Sequence, residues 1–205
     1  MYFETAKGMR PAPLRHNPFN ALVMPRPIAW ISTVNAAGIA NLAPYSYFNA
    51  MSADPPYVVF GPNGKGPGVG KDTWENLLVV PEFTVSLVCA EDGQAMNASS
   101  QAFPAGVSEF EACGIASLPG QLVKPPRVAS AKAALECRVY QSVALPRLAD
   151  GRENRVVIGE VLGIYIADEL IHDGLVDERL LQPLTRLGYM HYGTLGTVFE
   201  LNRPG

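Results

Sequence analysis

Residues 61–77, Gly-Pro-Asn-Gly-Lys-Gly-Pro-Gly-Val-Gly-Lys-Asp-Thr-Trp-Glu-Asn-Leu, combine the residue types that hold an anion. The glycines form a flexible loop after the apolar run Tyr57-Val58-Val59-Phe60, which reads as a buried strand. A helix-start signal follows, with Asp72 as a cap and Glu75 three positions on. Free backbone N–H groups and the helix dipole favour an anion at such a start. Lys71 adds a positive charge and Thr73 a hydroxyl donor, which completes a phosphate socket. Two nucleotide-loop patterns fail by inspection. A Walker loop needs Gly at Lys65 and Ser or Thr at Asp72. The dinucleotide fingerprint after Gly66-Pro67-Gly68 needs glycine at Lys71. What remains is a socket for a smaller phosphate such as a mononucleotide's, although glycine-proline loops before helices also occur without any ligand.

A second group of polar residues lies upstream. Ser32 and Thr33 end a strand-like run, and Ser46 and Asn49 sit among Tyr45, Tyr47 and Phe48 in the segment that returns from it. Paired, the two segments offer apolar walls with a few fixed donors, the mixture a planar heteroaromatic ligand needs. The alternative is that these hydroxyls merely satisfy local backbone groups. Acid–base machinery is sparse. The chain has three histidines, His16, His172 and His191. It has no Gly-x-Ser-x-Gly elbow and no histidine pair at metal-ligand spacing. No catalytic side chain and no metal ligand is assigned, and the role of His191 stays open. Chemistry carried by a bound cofactor fits this inventory.

The elements that position these residues are mainly strands. Residues 26–34 read as the first strong strand, Asn35-Ala36-Ala37-Gly38 as a hairpin turn and 41–50 as the return segment, demoted to an edge or a bulge by Pro44. Strands are also expected at 57–60, 83–88, 133–144, 155–167 and 192–201, and helices at 73–80, 91–100, near 108–111 and at 177–182. Helices falling between hairpins argue for an antiparallel barrel with peripheral helices. One domain, 1–205, is the default at 205 residues. Hydrophobic residues make up 48% and charged residues 17%, which points to a buried subunit interface. A net charge of −3 argues against nucleic acid as the main partner. No run is long enough to span a bilayer, so the expected location is the cytoplasm. Cys89, Cys113 and Cys137 are then expected as free thiols.

Four motifs in order resemble the flavin reductase-like family: Arg26-Pro27-Ile28-Ala29-Trp30-Ile31-Ser32-Thr33, Asn41-Leu42-Ala43-Pro44-Tyr45-Ser46-Tyr47-Phe48-Asn49, Lys71-Asp72-Thr73 and Met96-Asn97-Ala98-Ser99-Ser100. The resemblance covers about residues 20–203. It implies a six-stranded antiparallel Greek-key split barrel and a homodimer with FMN at the subunit interface. It also implies Lys71, Asp72 and Thr73 at the FMN phosphate, with Ser32, Thr33, Pro44, Tyr45, Ser46 and Asn49 along the ring and ribityl chain. The implied activity is hydride transfer from NADH or NADPH, bound transiently, to FMN, with a monooxygenase as the partner that receives reduced flavin. The alternative within the family is a flavoredoxin-like protein that binds FMN tightly and passes electrons to a redox protein.

Overall fold

The computed structural model describes residues 1–64 and 70–203. The glycine-rich part of the expected socket, 65–69, lies outside the described residues.

Turn chemistry starts the main sheet. The Asn35 side chain accepts from the N–H groups of Ala37 and Ile39, each at 2.9 Å, and Gly38 takes the left-handed conformation at φ 81°. This turn joins β1 (Ala29–Val34) to β2 (Ala40–Tyr45), paired from Ala29↔Tyr45 to Val34↔Ala40. Ser46 and Tyr47 alone separate β2 from β3 (Phe48–Ala53), which pairs with β4 (Pro56–Phe60). Then come β5 (Glu82–Leu87) and the two long strands β6 (Ala133–Ala144) and β7 (Arg155–Ile166). The order is β2-β1-β5-β6-β7-β4-β3, with every pairing antiparallel.

The expectation of a six-stranded antiparallel split barrel is corrected here in its strand count. Among the described residues the sheet has seven strands, and its edges β2 and β3 are not hydrogen-bonded to each other. The physical reason lies at Ser46-Tyr47, where the segment expected as one return strand breaks and its second half crosses to the far edge. The sheet must curl to allow this. The rings of Tyr45 in β2 and Phe60 in β4 meet across the curl, 5.3 Å apart, and Phe60 stacks on toward Phe83 at 5.2 Å. One core fills the curl, with Ala29, Ile31, Val85, Cys137 and Val157 among its members. A second, on the outer face, gathers Trp30, Leu42, Met96 and Phe110. All six residues of β1 are buried because both cores use that strand.

Helices cover the outer face and one end of the curl. They are α1 (Asp72–Val79), the one-and-a-half-turn α2 (Gly93–Ala98) and α3 (Glu109–Ala112). The cap of α1 is Lys71 rather than Asp72. Lys71 keeps extended backbone at ψ 150°, and its carbonyl already accepts from Trp74 N–H at 2.8 Å, so the helix begins one residue earlier than expected. Asp72 instead sits in the first turn, where it complements the dipole. The expected last strand is shorter than its pattern. Only Tyr192–Gly193 pairs, with Thr185–Arg186, and residues 194–203 form no strand. All three cysteines are free.

Candidate functional site

Two cavities flank the segment that leaves β2. The first, of about 210 Å³, is walled by Asn41, Ala43, Pro44 and Tyr45 from β2, by Lys71, Asp72 and Thr73 at the start of α1, by residues 99–103 after α2, and by Glu109 of α3. The second, of about 530 Å³, is reached by following the chain onward. It is lined by Ser46, Tyr47, Phe48 and Asn49, by Arg26 and Pro27, and by Asn154 and Arg155 on the other side.

The first cavity is held in shape by buried hydrogen bonds. The Tyr45 hydroxyl donates to Thr73 Oγ1 at 2.9 Å, tying β2 to α1. Burial pushes the Tyr45 phenol up, so it stays protonated and Thr73 keeps its own proton for another acceptor. Lys71 Nζ lies 5.2 Å above the Tyr45 ring, a cation–π contact that keeps the ammonium at the cavity wall. Trp30 Nε1 donates to Ser99 Oγ at 2.9 Å, and that hydroxyl donates to the Met96 carbonyl at 2.8 Å. The turn after α2 is thereby anchored to β1. Glu109, buried at 6% exposure, accepts from the Leu42 N–H at 2.8 Å and fixes α3 to the edge of β2.

In the walls of this cavity one buried side-chain donor is left over. Asn41 is 7% exposed, and its Nδ2 finds no hydrogen-bond partner among the described residues. A buried donor without an acceptor costs about 1–3 kcal/mol. In a cavity wall beside a lysine and a helix start, it is suited to an oxygen-rich ligand. Asp72 and Glu109 add negative charge to the same walls, so the cavity is a mixed polar socket, with Lys71 as its cation.

Of the residues expected at a ligand, Pro44, Tyr45, Lys71, Asp72 and Thr73 share the first cavity, and Ser46 and Asn49 share the second. Ser32 and Thr33 line neither. Both are buried, Ser32 donating to the Pro126 carbonyl and Thr33 accepting from Asn76 Nδ2 of α1 at 3.0 Å. Sequence reasoning missed Asn41, Glu109 and the cavity-facing role of Ser99 and Ser100. Asn41 and the two serines lay within motifs already singled out, whereas Glu109 carries no local signal. Arg26 was also missed. Its Nη2 donates to the Leu187 carbonyl at 3.1 Å and its Nη1 to the carbonyls of Asn20 and Val23, in the wall of the second cavity. His191 is exposed in the turn before Tyr192 and lines neither cavity. Among the described residues, no group of three metal-ligating side chains comes together and no helix is long and apolar enough to cross a membrane.

Comparison with known proteins places this geometry. A protein of Deinococcus radiodurans is 40% identical over 204 residues, covering 94% of this chain and 86% of its own length. The crystal structure of nitrilotriacetate monooxygenase component B from Bacillus cereus superposes with a TM-score of 0.89 at 27% identity, over 98% of each chain. That of the Pseudomonas fluorescens 2-nitrobenzoate 2-nitroreductase NbaA gives 0.84 at 29% identity, covering 100% of this chain and 96% of its own. Residues 21–184 match the family described as "Flavin reductase like domain", and the chain belongs to that family.

Proposed function

We propose that this protein is an FMN-dependent oxidoreductase of flavin reductase type, taking electrons from NADH or NADPH. The observation that carries the reading is the first cavity, where Lys71, Thr73 and the start of α1 meet Asn41 Nδ2, which has no partner among the described residues. The donor set suits the phosphate of FMN, and the stretch Tyr45 to Asn49 leads from it to the larger cavity, whose apolar walls and amides suit the ring system. Bound there, FMN supplies the two-electron redox chemistry. The chain itself binds, orients and shields. Tyr45 holds Thr73 in place, Ser32 and Thr33 brace Pro126 and Asn76 from behind, and Asp72 steadies the first turn of α1. The nicotinamide donor visits and leaves, in keeping with the missing dinucleotide fingerprint. The likeness to a monooxygenase component supports delivery of reduced flavin to a partner monooxygenase. We further propose a homodimer, and the three free thiols support a reducing compartment such as the cytoplasm.

Anaerobic titration of the FMN-loaded protein with NADH and NADPH tests the activity. Bleaching of the flavin by either donor is expected. Tight FMN binding with no bleaching, but with reduction by a redox protein, selects the flavoredoxin-like electron carrier instead. Lys71→Ala tests the socket. It should weaken FMN by roughly tenfold or more, from the loss of a charge-assisted contact of about 1.5–3 kcal/mol, and leave riboflavin nearly untouched. Equal loss for both ligands refutes the phosphate assignment.

A further inference from the structure

The two edges of the main sheet are treated differently by the chain. The β2 edge is covered by α3, whose Glu109 accepts the Leu42 N–H at 2.8 Å. The β3 edge is bare among the described residues. Residues 49–53 are all exposed, Met51 at 57%. β3 reads Phe-Asn-Ala-Met-Ser-Ala, with no charged residue and no proline. Soluble monomers blunt an exposed edge with such residues, since an open strand is a template for pairing. A register shift between Ala50 and Ser52 interrupts it, and the Asn49 side chain accepts from the Ala50 N–H at 2.9 Å, leaving the rest of the strand open.

A second element matches the first, exposed over most of its length although Leu195 and Val198 are half-buried. Residues 194–203 run on from Tyr192–Gly193 with the strand-like pattern Thr-Leu-Gly-Thr-Val-Phe-Glu-Leu-Asn-Arg, yet form no strand pairing among the described residues. Phe199 is 72% exposed and Leu201 82%. The charges of this arm, Glu200 and Arg203, cancel. Fully extended it reaches about 33 Å, enough to span the roughly 20 Å of β3. Its root lies beside β3. Tyr192–Gly193 pairs with Thr185–Arg186, which pairs with Arg26–Pro27, and Arg26 and Pro27 share the second cavity with Phe48 and Asn49. In a two-fold dimer whose axis passes near this face, each arm starts next to the other copy's edge.

The total surface points the same way. A compact monomer of 22.0 kDa exposes roughly 9,300 Å². This chain exposes 12411 Å². The surplus of about 3,000 Å² per chain, about 6,000 Å² for two, is more than enough for an obligate dimer interface, which buries about 2,000–5,000 Å² in total.

We infer that residues 194–203 form an exchanged arm that lies along β3 of a second copy of this chain, covering its bare edge and the rim of its second cavity. The inference rests on the homodimer proposed above and adds to it the elements that meet. The test is molar mass by light scattering across a dilution series. The unaltered chain should run as a dimer, and Phe199→Asp combined with Leu201→Asp, or Met51→Lys alone, should weaken the dimer by roughly 100-fold or more. A cross-linking arm guards against misfolded variants. A Met51→Cys chain mixed with a Phe199→Cys chain, both in a Cys113→Ser background, should yield a species of twice the chain mass with a short bismaleimide, and neither chain alone should do so. A monomeric unaltered chain refutes the dimer itself. A dimer indifferent to the arm and edge variants, or no cross-link in the mixture, overturns the exchanged arm. FMN titration of the same samples reads the flavin assignment separately, because an arm-dependent dimer that binds no FMN sinks only that assignment.

Discussion

Asn41 carries a donor with no acceptor among the described residues, which makes it a sensitive reporter of what the first cavity is for. Replacing a buried unsatisfied group with an apolar one of similar volume removes a penalty. Asn41→Leu should therefore leave the melting temperature of the ligand-free protein unchanged or raised, while FMN affinity falls about tenfold. Calorimetry alongside fluorescence titration checks both. A loss of stability with unchanged FMN affinity makes Asn41 structural. Tyr45 makes a complementary test through pH. Burial raises its pKa from the ordinary 10.0, so the native state holds a proton that the unfolded chain releases above that pH. Unfolding then releases protons, and stability, present in full below pH 10.0, is lost as pH rises further. Cys137, also raised by burial, contributes in the same direction from 9.0 upward. Denaturant titrations of Tyr45→Phe should show a shallower alkaline decline than the parent chain. They should also show about 1 kcal/mol less stability near neutrality, since Thr73 loses its donor.

At the scale of elements, what the sequence discloses depends on whether a signal is local. Turn residues and periodicity locate β1, its hairpin, β5, β6, β7 and α1, because Asn35, Gly38, Pro81 and the alternating runs act within a few positions. The break at Ser46-Tyr47 is different. Nothing in 41–50 says that one half pairs with β1 and the other with β4, since that choice is settled by partners distant in sequence. The same holds for Glu109, whose place at the first cavity comes from its bond to Leu42. Gly159 in β7 is another case. A Cβ there would lie 2.3 Å from the Phe83 ring, itself fully buried, and the register slips at this point. The glycine reads as a weak spot in a strand until the ring that needs its space is known. Gly159→Ala should cost about 1–3 kcal/mol by overpacking. That lowers the melting temperature by several degrees, whereas alanine at the open Gly196 should shift it hardly at all.

For the whole molecule, the outer surface is the property that a single chain explains least. Large apolar side chains stand out along α1 at Leu78 and Val79, on the long strands at Tyr140 and Ile164, and at both ends of the chain. A composition of 48% hydrophobic and 17% charged residues leaves few polar groups to cover them. If folding and association are one event, stability has no meaning apart from concentration, because mass action favours the assembled native state. For a dimer that unfolds to two chains, each tenfold rise in protein concentration adds about 1.4 kcal/mol per dimer. Against the unfolding entropy of two 205-residue chains this lifts the melting temperature by roughly 1.5 °C. A hundredfold range should therefore move the midpoint by about 3 °C, and saturating FMN should add a shift of its own at every concentration. A midpoint independent of concentration, in a sample of constant molar mass, separates association from folding. The exposed apolar surface would then belong to a chain that is stable without a second copy.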